Sequence, residues 1–277
     1  MDSLRVESLF GVKDKAVLVT GGSRGIGKMI ATGFVKNGAK VYISSRSAQD
    51  CAETAKELCA LGPGECVAIP ADMQKLSEVE RLAKELAAKE GKLHVLVNNA
   101  GATWADSIDN YPDGGFSKVI NLNLQRVFTL TQKVLPLLRA GAEAGGKIND
   151  VYADPARIIN IGSVEGLMVP NHDTYAYSAS KAALHHLSRH MAGRLGSEGI
   201  HSNVIACGAF QSKMTAGLFE QAGEVIMSHI PSSRYGTPED VVGTTLYLSS
   251  RAAAYVNGAT IALDGGWLVH MPIASKL

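Results

Sequence analysis

The stretch Ala16-Val17-Leu18-Val19-Thr20-Gly21-Gly22-Ser23-Arg24-Gly25-Ile26-Gly27 decides the fold. Its apolar opening reads as a buried strand, its glycines as a tight turn, and the pattern from residue 28 onward as a helix. Strand, glycine turn and helix in succession is the context that gives a dinucleotide fingerprint its meaning. Gly21, Gly25 and Gly27 let the backbone approach a pyrophosphate and let the helix pack close to the sheet. The helix N-terminus then offers amide donors and the positive end of its dipole to the phosphates. Ser23, Arg24 and Ile26 share this turn and join the candidate cofactor-binding residues.

Working outward, apolar runs recur at residues 41–43, 67–69, 95–97, 158–161, 203–205 and 260–263. Runs that are apolar on both faces imply a parallel sheet covered on both sides. Helical periodicity fills 28–37, 48–61, 77–90, 117–140, 175–198 and 238–249. Strands alternating with helices through right-handed crossovers predict an α/β fold: a single-domain Rossmann fold with a doubly wound parallel sheet of about seven strands. No linker or repeat divides the chain, so residues 1–277 read as one domain, with 1–12 as an N-terminal extension and 268–277 as a tail. The polar, Gly-rich stretch 141–155 reads as a surface insertion.

Composition narrows the function classes. With 277 residues, 46% hydrophobic and 19% charged, the chain can bury a substantial core. A net charge of +1 gives no reason to expect nucleic acid or an anionic membrane as partner. No run reaches the roughly 20 apolar residues of a membrane span. Cys51, Cys59, Cys66 and Cys207 form neither a Cys-x-x-Cys pair nor a zinc spacing, so reduced thiols and no metal are expected.

The second strand runs into Ser44-Ser45-Arg46. An NAD-using site commonly places an acid here to bind the ribose 2′-hydroxyl. Ser45 stands in its place and Arg46 follows, so a 2′-phosphate meets a cation rather than an anion. Arg24 is placed to reach the same phosphate, which points to NADP(H). Asp72, after the third strand, is a candidate for the adenine amino group or a loop cap. Asn99, Ala100 and Gly101, in Asn98-Asn99-Ala100-Gly101, are expected on the ribose side.

Further along, Tyr177-Ser178-Ala179-Ser180-Lys181 puts a tyrosine and a lysine on one helix face. A nearby ammonium lowers a phenol's pKa from its ordinary value of about 10 and fits it for proton transfer. Ser163 precedes the pair in Asn160-Ile161-Gly162-Ser163.

The ordered set Thr20-Gly21-x-x-x-Gly25-x-Gly27, Asn98-Asn99-Ala100-Gly101, Ser163, Tyr177-x-x-x-Lys181 and Asp264-Gly265-Gly266 resembles the short-chain dehydrogenase/reductase family. Arg234-Tyr235-Gly236-Thr237-Pro238-Glu239-Asp240 adds to the likeness, which spans roughly residues 15–266. Within the family the chain looks most like NADPH-dependent 3-oxoacyl reductases of glycolipid and secondary-metabolite pathways, which implies hydride transfer between a ketone and a secondary alcohol, on a 3-oxoacyl thioester or a polyketide-like ketone. The resemblance implies that Tyr177 is the general acid and Ser163 the hydrogen-bond donor to the carbonyl oxygen. It implies that Lys181 tunes Tyr177 and holds the nicotinamide ribose, and that Asn123 anchors a proton-relay water. Asn121 is the rival for that last role. Tyr177 and Lys181 thus touch the cofactor as well as the substrate. Gly208 and Ser212 are implied near the nicotinamide. Where the family usually has Pro-Gly, this chain has Cys207-Gly208, a departure that loosens the turn; no base is placed to make Cys207 a nucleophile.

The family's variable substrate lid corresponds to residues 210–230, with Phe210, Met214, Leu218, Phe219, Met227 and Ile230 suggesting a small apolar carbonyl or alcohol substrate. Trp104, Met168 and His172 fall in loops expected at the pocket mouth. Ala182, Ala183 and Ala192 suit helix packing in a homodimer or homotetramer, and His185, His186 and His190 share that helix. The last residues, Ser275-Lys276-Leu277, match the address read by the peroxisomal import receptor in a eukaryotic cell; otherwise a cytoplasmic location is expected. The rival readings are a family member recruited to another reaction, a non-catalytic NADP-binding protein, and a peroxisomal dienoyl-CoA reductase.

Overall fold

The computed structural model of the chain describes residues 2–211 and 216–270. Nine strands form: β1 (Ala16–Thr20), β2 (Lys40–Ser44), β3 (Glu65–Ala68), β4 (Val95–Asn98), β5 (Lys147–Ile148), β6 (Val151–Tyr152), β7 (Ala156–Ser163), β8 (Ile200–Cys207) and β9 (Thr260–Leu263). Seven of them build one parallel sheet in the order β3-β2-β1-β4-β7-β8-β9. The order reverses between β1 and β4, which opens a crevice at the carboxyl ends of the strands. All seven sheet strands coincide with the apolar runs of the sequence.

The helices are α1 (Val6–Phe10), α2 (Gly25–Lys36), α3 (Ala48–Cys59), α4 (Leu76–Lys89), α5 (Asp113–Ile120), α6 (Arg126–Ala144), α7 (Tyr175–Leu195), α8 (Ala216–Ser228) and α9 (Pro238–Ser249). Alternate strand residues feed two apolar layers. Val17 and Val19 face Ile30 and Phe34 of α2 and Leu248 of α9. Leu18 and Leu96 face Leu82 and Leu86 of α4 and Leu130 and Val134 of α6. Phe34 is fully buried, so truncating it to alanine costs about 3–5 kcal/mol. No helix among the described residues is long and apolar enough to cross a membrane.

Two segments differ from expectation. The helix expected over 117–140 is two helices, separated by a π-helical turn, Asn121–Gln125. The expected insertion at 141–155 is mostly ordered. Gly141 and Ala142 are buried inside α6, where a side chain at 141 would overlap the Leu93 carbonyl. A β5–β6 hairpin follows, turning through Asn149 and Asp150 at φ +49° and +63°, conformations that Asn and Asp tolerate.

At the N-terminal edge of the sheet a buried clamp ties the layers together. Lys15 Nζ donates to Asp154 Oδ2 at 2.7 Å and to the Ser249 carbonyl at 2.9 Å. Arg157, 1% exposed, donates to the Leu248 and Ser250 carbonyls, to Pro155 and to Asp154 Oδ1. Nearby, His94 Nδ1 accepts from Ala16 N at 2.9 Å.

Candidate active site

At the opposite edge, the carboxyl ends of β1, β2, β4, β7 and β8 border a cleft of about 970 Å³. One wall is the glycine turn. Gly21 and Gly25 adopt φ +67° and +53°, which a side chain would strain. A Cβ at Gly21 would stand 2.7 Å from Asn99 Nδ2. Gly27 does not border the cleft: it packs against the Gly21 carbonyl and Asn99, bringing α2 onto the turn. No side chain caps the α2 N-terminus, so its amides stay available to an anion. Ser23, Arg24, Gly25 and Ile26 border the cleft as expected.

Asn99 borders the cleft and holds this wall together. Its Nδ2 donates to the Thr20 carbonyl at 2.8 Å and the Gly21 carbonyl at 3.2 Å, while its backbone N–H and that of Ala100 donate to Thr20 Oγ1. Ala100 and Gly101 border the cleft with it. At the end of β2, Ser45 Oγ accepts from Ser23 Oγ at 2.9 Å and lies 3.0 Å from Cys51 Sγ. Arg24 and Arg46 are exposed on the cleft rim, and among the described residues neither joins an ion pair. Asp72 borders the cleft; its Oδ1 accepts from Gln74 N at 3.1 Å, so it also serves as a loop cap.

The other wall brings Ser163, Tyr177 and Lys181 together. Ser163 ends β7; its Oγ accepts from Glu165 N at 3.2 Å, and a side-chain hydrogen bond couples it to Tyr177. Lys181 Nζ donates to the Ile161 carbonyl at 2.7 Å and lies 5.5 Å from the Tyr177 ring centroid. Burial pushes the Lys181 ammonium down to about 8, against the pull of Cys207 and Glu165. The Tyr177 phenol is pushed up, not down: burial acts first, the Glu165 carboxylate adds to it, and the Ser163 hydrogen bond offsets only part. The lowering expected from Lys181 is not found: desolvation penalises the phenolate, and the Glu165 carboxylate adds to it. Cys207 is buried, and its thiol is pushed up to about 12, so it stays protonated. Gly208 follows because a side chain there would meet Asp264 within 2.8 Å.

Asn123 lies in the π-turn, 1% exposed, beneath this wall. Its Oδ1 accepts from Ala102 N, and its Nδ2 donates to the Ala102 carbonyl and to Ser180 Oγ, at 2.9, 2.9 and 3.0 Å. The side chain is spent on fixing the Ala102 backbone. Asn121 turns away to Gln74. The lid expectation holds in part: Phe210, though only 2% exposed, borders the cleft, whereas Ile230, 3% exposed, does not. Val225, Ile226, His229 and Trp267 border the cleft as well. Ser212, Met214 and the tail 271–277 lie outside the described residues. On α7, His185 and Ala192 face inward while His186 and His190 face outward.

Sequence reasoning missed Glu165. It borders the cleft two residues beyond Ser163, and its carboxylate is bonded to His172, Thr174 and Ser178. An acid so close behind the strand-end serine was the available signal.

Comparison with known proteins agrees with this geometry. The enoyl-(acyl carrier protein) reductase family model matches residues 21–268. The rhamnolipid-biosynthesis 3-oxoacyl-[acyl-carrier-protein] reductase of Pseudomonas aeruginosa is 45% identical over 260 residues, 93% of this chain and 98% of that one. A 3-oxoacyl-[acyl-carrier-protein] reductase of Staphylococcus epidermidis is 34% identical, covering 91% and 98%. The solved Pseudomonas aeruginosa RhlG/NADP active-site complex superposes with a TM-score of 0.87 at 44% identity, covering 94% and 99%. With the sheet order, the glycine turn and the Ser163–Tyr177–Lys181 wall in place, the chain belongs to the short-chain dehydrogenase/reductase family.

Proposed function

We propose that the chain, as one domain over 1–277, is an NADP(H)-dependent reductase of ketones, with a neutral 3-oxoacyl thioester as its substrate class. The observation that carries this reading is the pairing of two walls: exposed Arg24 and Arg46 at one end of the cleft, and Ser163, Tyr177 and Lys181 at the other. The positive-φ glycines and uncapped α2 amides fit a pyrophosphate, and the two arginines fit a 2′-phosphate. The relatives named above add the keto thioester as the class of substrate and NADP as the cofactor.

The dinucleotide supplies the hydride. Ser163 Oγ–H donates to the ketone oxygen and stabilises the negative charge that develops there. Tyr177, kept as a phenol by its surroundings, donates the proton that completes the alcohol. Lys181 holds positive charge beside the phenol and would hold the ribose hydroxyls of the bound dinucleotide. Asn123 fixes the cleft floor at Ala102. NADPH oxidation over acetoacetyl and longer 3-oxoacyl thioesters, diketones and aromatic ketones tests the reading. Consumption with none of the thioesters sinks the substrate class.

Homo-oligomerisation is part of this proposal, supported by the outward-facing Phe116 and Phe128, 41% and 48% exposed on α5 and α6. Peroxisomal import in a eukaryotic host is the remaining part, resting on Ser275-Lys276-Leu277. Removing Leu277 from a tagged chain is expected to leave it cytosolic, and persistent puncta contradict the address.

A further inference from the structure

Behind the Ser163–Tyr177 wall sits a carboxylate that the reaction does not call for. Glu165 Oε2 accepts from Thr174 Oγ1 at 2.7 Å and from Ser178 Oγ at 3.1 Å. Its Oε1 lies 3.1 Å from His172 Nε2, and its backbone N–H donates to Ser163 Oγ at 3.2 Å. One residue therefore ties the end of β7 to the first turn of α7, on either side of Tyr177, and to the loop residue His172 at the cleft mouth. Its side chain is 17% exposed and borders the cleft, so its charge is poorly screened there.

A negative charge near a carbonyl oxygen that is about to become negative opposes the reaction. Such a group is tolerable when donors saturate it, as three side chains do here. Its remaining effect falls on whatever else enters the cleft. A ketone carrying its own carboxylate meets a like charge; a neutral thioester does not.

We propose that Glu165 is a positioning and specificity-determining residue, which clamps Ser163, α7 and the His172 loop together and rejects ketones that bear a carboxylate. This rests on the ketone-reductase reading. The groups around the pair are His172 and Asp173 from the loop, Tyr177 and Lys181 from α7, and Cys207 from β8 beyond them. The Glu165 hydrogen bond raises the pKa of His172, while Glu165 itself is held down by its donors against its burial. Below the raised His172 value the pair is neutral overall. As pH climbs through that value the imidazolium is lost and the pair turns net negative, so rejection of anions strengthens with pH.

The experiment compares kcat/KM for acetoacetyl-N-acetylcysteamine, a neutral thioester, with that for free acetoacetate, using NADPH from pH 6 to 9. The native chain is expected to favour the thioester increasingly as pH rises. Glu165→Gln keeps an acceptor of the same shape and is expected to narrow the preference about tenfold, the size of one charged contact, and to flatten its pH dependence. Glu165→Ala is expected to lower kcat on the thioester as well, about tenfold, because the clamp is gone. An unchanged preference and pH dependence in Glu165→Gln overturns the proposal. If the native chain reduces neither ketone, the reductase reading falls, and the clamp is judged by NMR titration of His172. A value above that of free histidine, falling in Glu165→Gln, upholds the clamp, and one that does not move overturns it.

Discussion

At the N-terminal edge of the sheet, buried Lys15 and Arg157 and part-buried Asp154 spend their charges on one another and on the Leu248, Ser249 and Ser250 carbonyls. At the C-terminal edge, Arg24 and Arg46 lie exposed without ionic partners among the described residues, and buried Lys181 donates to the Ile161 carbonyl. The same residue types thus serve opposite ends. A buried charge is tolerable when it is fully bonded, and it then closes the structure. A charge left unmatched beside a cleft is free to meet a ligand. Formal charge along the chain does not distinguish the two; partnership does.

The contrast can be broken at either end. The largest effect belongs to Tyr177→Phe, which removes the proton donor without disturbing the arginines. Turnover is expected to fall about 10²–10⁴-fold, while NADPH affinity from fluorescence titration is retained. Activity near the native level would remove Tyr177 from the proton path. Next is Arg157→Leu, which leaves three buried carbonyls without their donor and Asp154 with Lys15 as its remaining partner in the clamp. It should cost about 3–5 kcal/mol in urea unfolding and leave kcat of the folded enzyme largely unchanged. A negligible cost would mean that the clamp is not what closes this edge.

Arg46→Asp is expected to do the reverse, leaving stability alone and raising KM for NADPH about 10–100-fold, with preference moving toward NADH. Equal use of both dinucleotides before and after the change would make Arg46 an ordinary surface charge. The smallest effect separates the ends by pH. Burial, helped by Lys15 near one and Arg157 near the other, pushes His94 and His201 down to about 4. Unfolded histidine protonates near 6.5, so the unfolded chain binds more protons between 6.5 and 4. Stability is therefore lost as pH falls through that window, by about 1.4 kcal/mol per pH unit for each histidine at most. His94→Asn, which keeps an acceptor for Ala16 N, is expected to lessen the slope in thermal melts from pH 7 to 5. An unaltered slope would place the acid sensitivity elsewhere.

The strands and the glycine turn were legible in the sequence because both follow from short-range rules: apolar runs buried on two faces, and conformations that need glycine. Ser163, Tyr177 and Lys181 were legible as an ordered motif, and the structure brings them to one wall. What escaped depends on pairings across the fold. The bracing role of Asn99 escaped because its bond to the Thr20 carbonyl joins residues 79 apart. The Tyr177 shift was read from Lys181, near in sequence, whereas its largest cause is the burial that the surrounding fold supplies. Glu165 went unnoticed because its donors lie on a loop and a helix turn that sequence spacing does not align.

The π-turn at Asn121–Gln125 has a consequence for how this molecule can vary. One residue more than an α-helix requires uncouples the angular phase of α5 from that of α6. The apolar stripe of α6, from Val127 through Leu138, is thereby set against the sheet independently of what α5 presents to the outside. Losing a single residue there would rotate one stripe by about 100° relative to the other. It would also pull Asn123 away from the Ala102 backbone, so the outer helices and the cleft floor share one point of phase.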